Sequence, residues 1–457
     1  MGKHSKVKRI LDSVHGQIKI PKDWCEKIID TPYFQRLRRI EQNSCRTVFP
    51  SARHDRFIHS LGVYHIGTLI AKHIKEECEI PEFEYSILKT YRLACLLHDV
   101  GHTPFSHTFE EYFDEKDIRE ALANRLNDEA FKSDLQARHQ KLTEHELLSA
   151  YVAVCVYKDA LLDQEINWTL LVRMIIGLPY IDANDQRDNS RFENVMIDLI
   201  HGTIDADGLD YVCRDVWAGG YHNFSIDLQR LVDAIRITKD GANYQLSFSA
   251  KALNEIEGVL NIKNFQHLYV LNHHKVHLEQ YYLVEAMKTA AVFHMNIPNR
   301  DEALRKLCDF NAFLKSDIKL PSLNYLFFRP CDDDFVTLMK QTLQKDIFID
   351  GWFERKFLHK PLWKSKMHFF HCFSEVLYNI NIPIEEQKQN NADTYLKKVR
   401  GKRINAICDT KCKEVVLDAL QLEEDDIIQK TIHPKIRKIN PNEIHVSLGD
   451  EIKNFSE

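Results

Sequence analysis

The chain has 457 residues, length enough for roughly three domain-equivalents at about 150 residues each. At 44% hydrophobic and 28% charged residues, with 15 glycines and 13 prolines, it can bury a sizeable core and is neither collagen-like nor low-complexity. Its formal charge of −6, from 61 basic and 67 acidic residues, argues against a general nucleic-acid binder and leaves room for a local basic pocket. No apolar run approaches the about 18–20 residues of a membrane span. The basic start MGKHSKVKRI has no apolar region behind it, and Lys6 stands where a myristoylation site wants Ser or Thr. Eleven cysteines without CxxC pairs read as reduced thiols, so a soluble, cytoplasmic protein is expected.

In chain order, VHGQIKIP at residues 14–21 alternates about Gly16 and predicts a short strand signal. RLACLLHDVGH, EHELLSAYVAVCVY and EQYYLVEAMKTAAVFHM carry apolar residues at three- and four-residue spacing and predict helices. Between the last two, residues 236–249 place Asp240-Gly241 between alternating segments, a hairpin signal. The fold class expected is mainly α, a helical core with one or two small β-hairpins and a mixed, mostly helical C-terminal region. Two prolines with an acidic run at 321–335 and a polar stretch at 382–393 mark breaks. We therefore expect a catalytic region over 1–300 and a C-terminal region over 301–457 serving oligomerisation or regulation. Cys408 and Cys412, one helical turn apart without a second pair, are expected to be buried thiols rather than zinc ligands.

Histidine is the outlier: there are 23, and seven fall between His54 and His107. HDVGHTPFSH at 98–107 follows an apolar segment, HSLGV lies upstream at 59–63, and DADGLDY lies downstream at 205–211. His59, His98, Asp99 and Asp207 form a mixed imidazole–carboxylate set suited to a divalent Mn, Fe, Zn, Mg, Ni or Co ion, with positions left for water and a phosphate oxygen. Each residue alone reads more readily as a helix cap or a core histidine than as a ligand. It is the ensemble that reads as a metal site.

Six blocks in order, DSVHGQIKIP, IIDTPYFQRLR, VFPSARHDRFIHSLGV, LLHDVGHTPFSH, TEHE and DADGLDYVCRD, resemble the HD-domain superfamily and, within it, the deoxynucleoside triphosphate triphosphohydrolases. The resemblance runs from about Lys8 to Lys275. The sterile-alpha-motif domain of the vertebrate members is not expected, since the first block begins near residue 1. The family hydrolyses the bond between the 5′-oxygen and the α-phosphorus of a dNTP, releasing inorganic triphosphate. Carried over, His59, His98, Asp99 and Asp207 hold the metal, and His102 contacts the α-phosphate from the same helical face as His98 if the helix continues through Gly101. His107 protonates the leaving oxygen, while His145, with Glu110 as acidic partner, handles water. Glu146 either completes that run or is a solvated helix residue. Arg56 and Lys275 reach the phosphates. Tyr211 and Asp215, four apart on one helical face, hold the sugar, and Gln42 reads its edge. Asn43 departs from the vertebrate leucine, and the following NSCRTVFP is one residue shorter, which leaves deoxy selectivity and base preference open.

The resemblance also implies homo-oligomers, dimeric or tetrameric, with GTP or a dNTP as activator between subunits. Asp30, Gln35 and Arg38 would read a guanine and Lys8 its phosphates, although Leu11 replaces the expected asparagine. FQRLRRIEQ reads equally as an amphipathic helix with a basic face. Rival readings are another HD-type nucleotidase or nuclease, or a nucleotide-binding scaffold with weak hydrolysis. His102 and Thr103 stand where guanosine tetraphosphate hydrolases carry an acidic pair, and no GYP-type motif of the cyclic-dinucleotide enzymes occurs. Pool control and antiviral depletion would use one and the same chemistry.

Overall fold

The computed structural model describes residues 6–78, 85–113, 115–137, 142–182, 186–220, 225–309, 319–320, 325–326, 329–343, 346–358, 444–448 and 451–454. The stretch at 382–393 and the Cys408/Cys412 pair lie outside the described residues. Strands β1 (Val7–Asp12) and β2 (Gly16–Pro21) form an antiparallel hairpin that turns at Gly16, φ +71°. Ile18 and Ile20 are buried and Lys19 between them is exposed, so the alternation read in the sequence faces one side of this hairpin inward.

The helices that follow are α1 (Arg56–Glu77), α2 (Tyr85–Leu97), α3 (Glu115–Leu126), α4 (Glu129–Ala137), α5 (Glu144–Val152), α6 (Trp168–Ile176), α7 (Phe192–His201) and α8 (Ala206–Gly219). Helix α1 packs on α2 and α8, α2 packs on α6, and α5 lies against α3 and α6. The run Leu93 to Leu97 in α2 is wholly buried, and so is Leu170 to Ile176 in α6. Continuous burial explains why neither run shows a polar face. Within α6 the fully buried Arg173 is tolerated because its guanidinium pairs with Asp134 at 2.5 Å. Helix α6 starts at Asn167, whose side chain accepts from Leu170 N at 3.0 Å, and stops at Gly177 in the left-handed region.

Beyond α9 (Leu228–Asp233), strands β3 (Ile235–Asp240) and β4 (Asn243–Ser249) form the hairpin expected at Asp240-Gly241. Helices α10 (Leu253–Phe265), α11 (His274–Met295) and α12 (Arg300–Leu307) lead to a short ladder of β5 (Lys319–Leu320) and β6 (Tyr325–Leu326). Helices α13 (Asp332–Gln341) and α14 (Ile347–Glu354) then pack on α11. Finally β7 (His445–Leu448) pairs in parallel with β4, and β8 (Glu451–Asn454) pairs with β7, making a four-stranded sheet. That extension joins residues about two hundred positions apart, a pairing that local patterning cannot announce. One compact unit takes in 1–355 and 437–457; a second spans Lys356–Ile436. The boundary expected near residue 300 falls inside the first unit, where α12 and α14 pack on α11. Among the described residues no helix is long and apolar enough to cross a membrane.

Candidate metal centre and active site

Helix α1 begins at Asp55, whose carboxylate accepts from Ile58 N at 2.9 Å, and this cap fixes the turn that carries Arg56 and His59. Helix α8 begins the same way, with Asp205 accepting from Gly208 N at 2.6 Å, and so fixes Asp207. The two helices meet closely at Gly62, where a Cβ would lie 1.8 Å from Asp210 Oδ1 and 2.5 Å from an Arg214 nitrogen. The glycine of HSLGV is therefore a packing requirement. Helix α2 ends at Leu97, so His98 and Asp99 sit in the turn that follows it. This corrects one expectation: the helix does not continue through Gly101. His102 is delivered instead by a tight turn, its N–H donating to Asp99 O at 2.9 Å. Gly101 lets this turn approach α5, where a Cβ would stand 2.4 Å from the backbone of Leu148 and Ser149.

These turns bring His59, His98, Asp99 and Asp207 together. His59 Nε2 lies 3.0 Å from Asp207 Oδ1, 3.3 Å from His98 Nε2 and 3.6 Å from Asp99 Oδ2. His98 Nε2 lies 3.5 Å from Asp99 Oδ2 and 3.8 Å from Asp207 Oδ1. A cation bonded at about 2.0–2.2 Å holds neighbouring donors about 3 Å apart at right angles, so His59, His98 and Asp99 suit a divalent ion, with Asp207 Oδ1 standing beside His59 Nε2. Both imidazoles are oriented for the task. His59 Nδ1 donates to Asp210 Oδ2 at 2.8 Å and His98 Nδ1 donates to Cys95 O at 3.0 Å, turning each Nε2 lone pair inward. Asp210 is held in turn by two Arg214 nitrogens at 2.9 Å and by His15 Nε2 at 2.6 Å, and Arg214 reaches Asp12 at 3.0 Å. Burial opposes charge on His59, but Asp207 and Asp210 outweigh it and raise its pKa, the same negative field that favours a cation at Nε2 in place of the proton. Burial likewise works against Asp99, and Arg56 overrides it, holding the carboxyl well below its usual range.

A second cluster adjoins the first through Arg56, which donates to Asp99 Oδ2 at 2.7 Å and to Ser106 Oγ at 3.0 Å and lies 3.3 Å from His107 Nε2. Glu110 Oε1 lies 2.8 Å from His107 Nδ1 and 2.5 Å from His145 Nδ1. The His102 ring stacks on His145 at 4.6 Å and meets His107 edge-on at 5.0 Å. Burial opposes ionisation of Glu110, yet the two histidines hold its pKa well below the usual carboxylate range. Burial, helped by Arg56, depresses the His102 pKa well below its ordinary value and keeps that ring neutral. The side chain of His107 is 56% exposed and that of His145 12%. Glu146 is buried, with Oε1 3.7 Å from His201 Nδ1, and so is not a solvated helix residue.

Farther along α8, Tyr211 and Asp215 share a face, as their spacing predicts. Asp215 Oδ1 accepts from Asn43 Nδ2 at 3.1 Å and lies 2.8 Å from His54 Nε2. Gln42 N donates to His54 O at 3.0 Å, and its side-chain oxygen is buried. Gln42, Asn43, His54 and Asp215 thus form one group. Lys275 is exposed in the first turn of α11 and has no ion pair with the others among the described residues. Elsewhere, Lys8 pairs with Asp30 at 3.3 Å, while Arg38 donates to Gln35 at 3.0 Å and stacks over Phe57 at 3.5 Å. Leu11 is exposed at the neighbouring hairpin.

Sequence reasoning assigned no role to Asp12, His15, His54, Asp210 or Arg214. The signal was available: all five stand inside the ordered blocks, with Asp12 and His15 in DSVHG and Asp210 and Arg214 in DADGLDYVCRD.

Residues 56–166, which carry His59 and the turn-borne His98-Asp99 pair, match the HD domain family. The chain is also similar to deoxynucleoside triphosphate triphosphohydrolases over about six tenths of its length. A deoxynucleoside triphosphate triphosphohydrolase SAMHD1 homolog of Dictyostelium discoideum is 30% identical over 275 residues, 59% of this chain and 46% of that protein. Deoxynucleoside triphosphate triphosphohydrolase SAMHD1 of Gallus gallus is 27% identical over 322 residues, 66% of this chain and 50% of its own length. The chain spans about half the length of these relatives. A solved structure of a hypothetical protein from Aquifex aeolicus shares the fold, with a TM-score of 0.55, 24% identity and coverage of 83% of this chain and 84% of that one.

Proposed function

We propose that the protein is a metal-dependent triphosphohydrolase that converts a dNTP and water to a deoxynucleoside and inorganic triphosphate. The observation that carries this reading is the adjacency of two clusters bridged by Arg56, both with donors spaced for a cation, the first buried and the second sharing one carboxylate between two imidazoles with His107 open to solvent. His59, His98, Asp99 and Asp207 are the proposed metal ligands. A divalent ion bound there supplies Lewis-acid polarisation of an α-phosphate oxygen and eases ionisation of water.

The chain's own residues supply the rest. His102, kept neutral, donates to the α-phosphate, and Arg56 neutralises charge that builds on its oxygens. Water attacks phosphorus as the bond to the 5′-oxygen breaks. His107, protonated on Nε2, gives its proton to the departing 5′-oxygen, a poor leaving group without one. Glu110, through Nδ1, stabilises the imidazolium. His145, sharing the same carboxylate, takes the proton from water. Tyr211 packs under the sugar and Asp215 accepts from its 3′-hydroxyl, with Gln42 at its edge; Asn43 and His54 fix the Asp215 carboxylate. Lys275 is proposed as a second phosphate cation. Lys8, Asp30, Gln35 and Arg38 are the proposed regulatory nucleotide site, acting by differential binding in a homo-oligomer. We further propose a cytoplasmic location and an assembly role for the region beyond residue 300.

The test is incubation with each dNTP and with GTP, singly and mixed, in Mn or Mg, with the inorganic product separated. Triphosphate release supports the reading. Pyrophosphate or orthophosphate as the sole product assigns the protein to another class of nucleotide phosphohydrolase.

A further inference from the structure

We infer that Asp332, which lies past the HD domain at the start of α13, is a positioning residue: its carboxylate accepts from the backbone N–H of Phe105 at 2.6 Å and of Glu41 at 3.0 Å and so holds the turn before His107 in register with the strand-like segment before Gln42. The inference rests on the reading above for its catalytic consequence, but not for its structural one.

The turn needs a restraint. Phe105 and Ser106, the two residues before His107, both adopt left-handed backbone conformations, φ +56° and +52°. Neither is glycine, and an L side chain in that region is strained unless its surroundings fix it. The surroundings here come from three directions. Thr103 Oγ1 donates to Ser106 O at 2.7 Å, and Ser106 Oγ donates to Glu41 O at 2.6 Å. The Phe105 ring meets Phe109 and Trp352 edge-on. Asp332 takes the two amide hydrogens, one on each side of the pair of segments it joins. Beside it, the buried Arg36 donates to His102 O at 2.6 Å and to Pro330 O at 3.0 Å, tying the same two regions together a second time. Asp332 is the acceptor in this arrangement that only a carboxylate can replace, because each of its oxygens receives an N–H. An amide has one acceptor oxygen and would turn an NH₂ toward the other hydrogen.

The charge state of Asp332 matters for the same reason. Burial raises its pKa to about 7 despite the two N–H donors; Glu41 raises it further and Arg36 opposes. Cys331, Asp333 and Asp334 are the other titratable groups close by on its own segment, with Asp333 paired to Arg39 at 3.2 Å. Protonation puts a hydrogen on one oxygen and removes one acceptor. The folded pKa lies above the unfolded value of about 3.9, so between about pH 4 and 7 the folded state holds a proton that the unfolded state has lost. Stability contributed by Asp332 therefore declines as pH rises through that window and levels off above it. The ionised form, which holds both amides, is the less stable one.

The experiment compares the full-length, Mn-loaded wild type with Asp332→Asn and with the exposed control Asp333→Asn. Hydrogen–deuterium exchange is followed at the Glu41 and Phe105 amides, alongside kcat and KM for triphosphate release, metal content, and thermal midpoints from pH 5 to 8. In Asp332→Asn, exchange at one or both amides rises about tenfold, kcat falls about tenfold or more with KM changed less than about threefold, and metal content is kept. The midpoint of Asp332→Asn gains on the wild type as pH rises from 5 to 7, while Asp333→Asn stays level with it. In the wild type alone, exchange at the two amides, corrected for its intrinsic pH dependence, speeds up as pH falls through about 7, which decides the matter even if the variant does not fold. Unchanged exchange and kcat in Asp332→Asn, or pH-independent protection in the wild type, overturns the inference. If no dNTP yields triphosphate with the wild type, the functional reading fails and the exchange contrast still decides Asp332.

Discussion

The two histidine clusters are both built of imidazoles and carboxylates and differ in what the second nitrogen of the paired imidazoles does. In the cluster of His59 and His98, each Nδ1 is committed to a separate acceptor, Asp210 or the Cys95 carbonyl, and every ring is buried. In the cluster of His107 and His145, both Nδ1 atoms turn to one oxygen of Glu110, and His107 opens to solvent. Separate fixed acceptors lock tautomer and orientation, which is what a cation needs from its ligands. A shared carboxylate lets one ring gain a proton as the other loses it, which is what acid–base work needs. Arg56 stands between and belongs to both.

Breaking the first cluster has the largest expected effect. His98→Ala or Asp207→Ala should lower bound metal, read by elemental analysis, and triphosphate release together, the latter by about 10³-fold or more. Retained turnover in either variant removes the metal role. Breaking the second cluster should separate the two readouts: His107→Ala keeps its metal and slows product release by about 10²-fold. An unchanged rate removes it as the acid. The comparison is sharpened by Asp210→Asn, which loosens the hold on His59 Nδ1 together with the Arg214 and His15 contacts to the same carboxylate. There the metal affinity measured by competitive chelation should fall by about 10–100-fold, with His107-dependent steps intact at saturating metal. Equal affinity in wild type and variant would mean that the Asp210–His59 bond is structural only.

Much of this was legible before any coordinates. The four proposed ligands, Arg56 and the second cluster stand in ordered blocks, and the hairpins at Gly16 and Gly241 follow from local turn chemistry. His102 reached its place by a different route from the one expected. A helical face was anticipated, whereas the chain leaves α2 at Leu97 and a tight turn supplies the ring, because Gly101 allows the backbone to press against α5. Glu146 also went beyond sequence, since its burial depends on α7 bringing His201 alongside.

The sequence by itself determined which residues could carry the chemistry, because ligand types, capping aspartates and close-contact glycines are local requirements written at fixed spacings. Only the tertiary structure decided which nitrogen of each histidine faces inward, that Asp12, His15, Asp210 and Arg214 brace His59, and that Asp332 reaches back across nearly three hundred positions to Glu41. Orientation and long-range bracing arise from packing between distant segments, and local propensity does not encode a partner that far away.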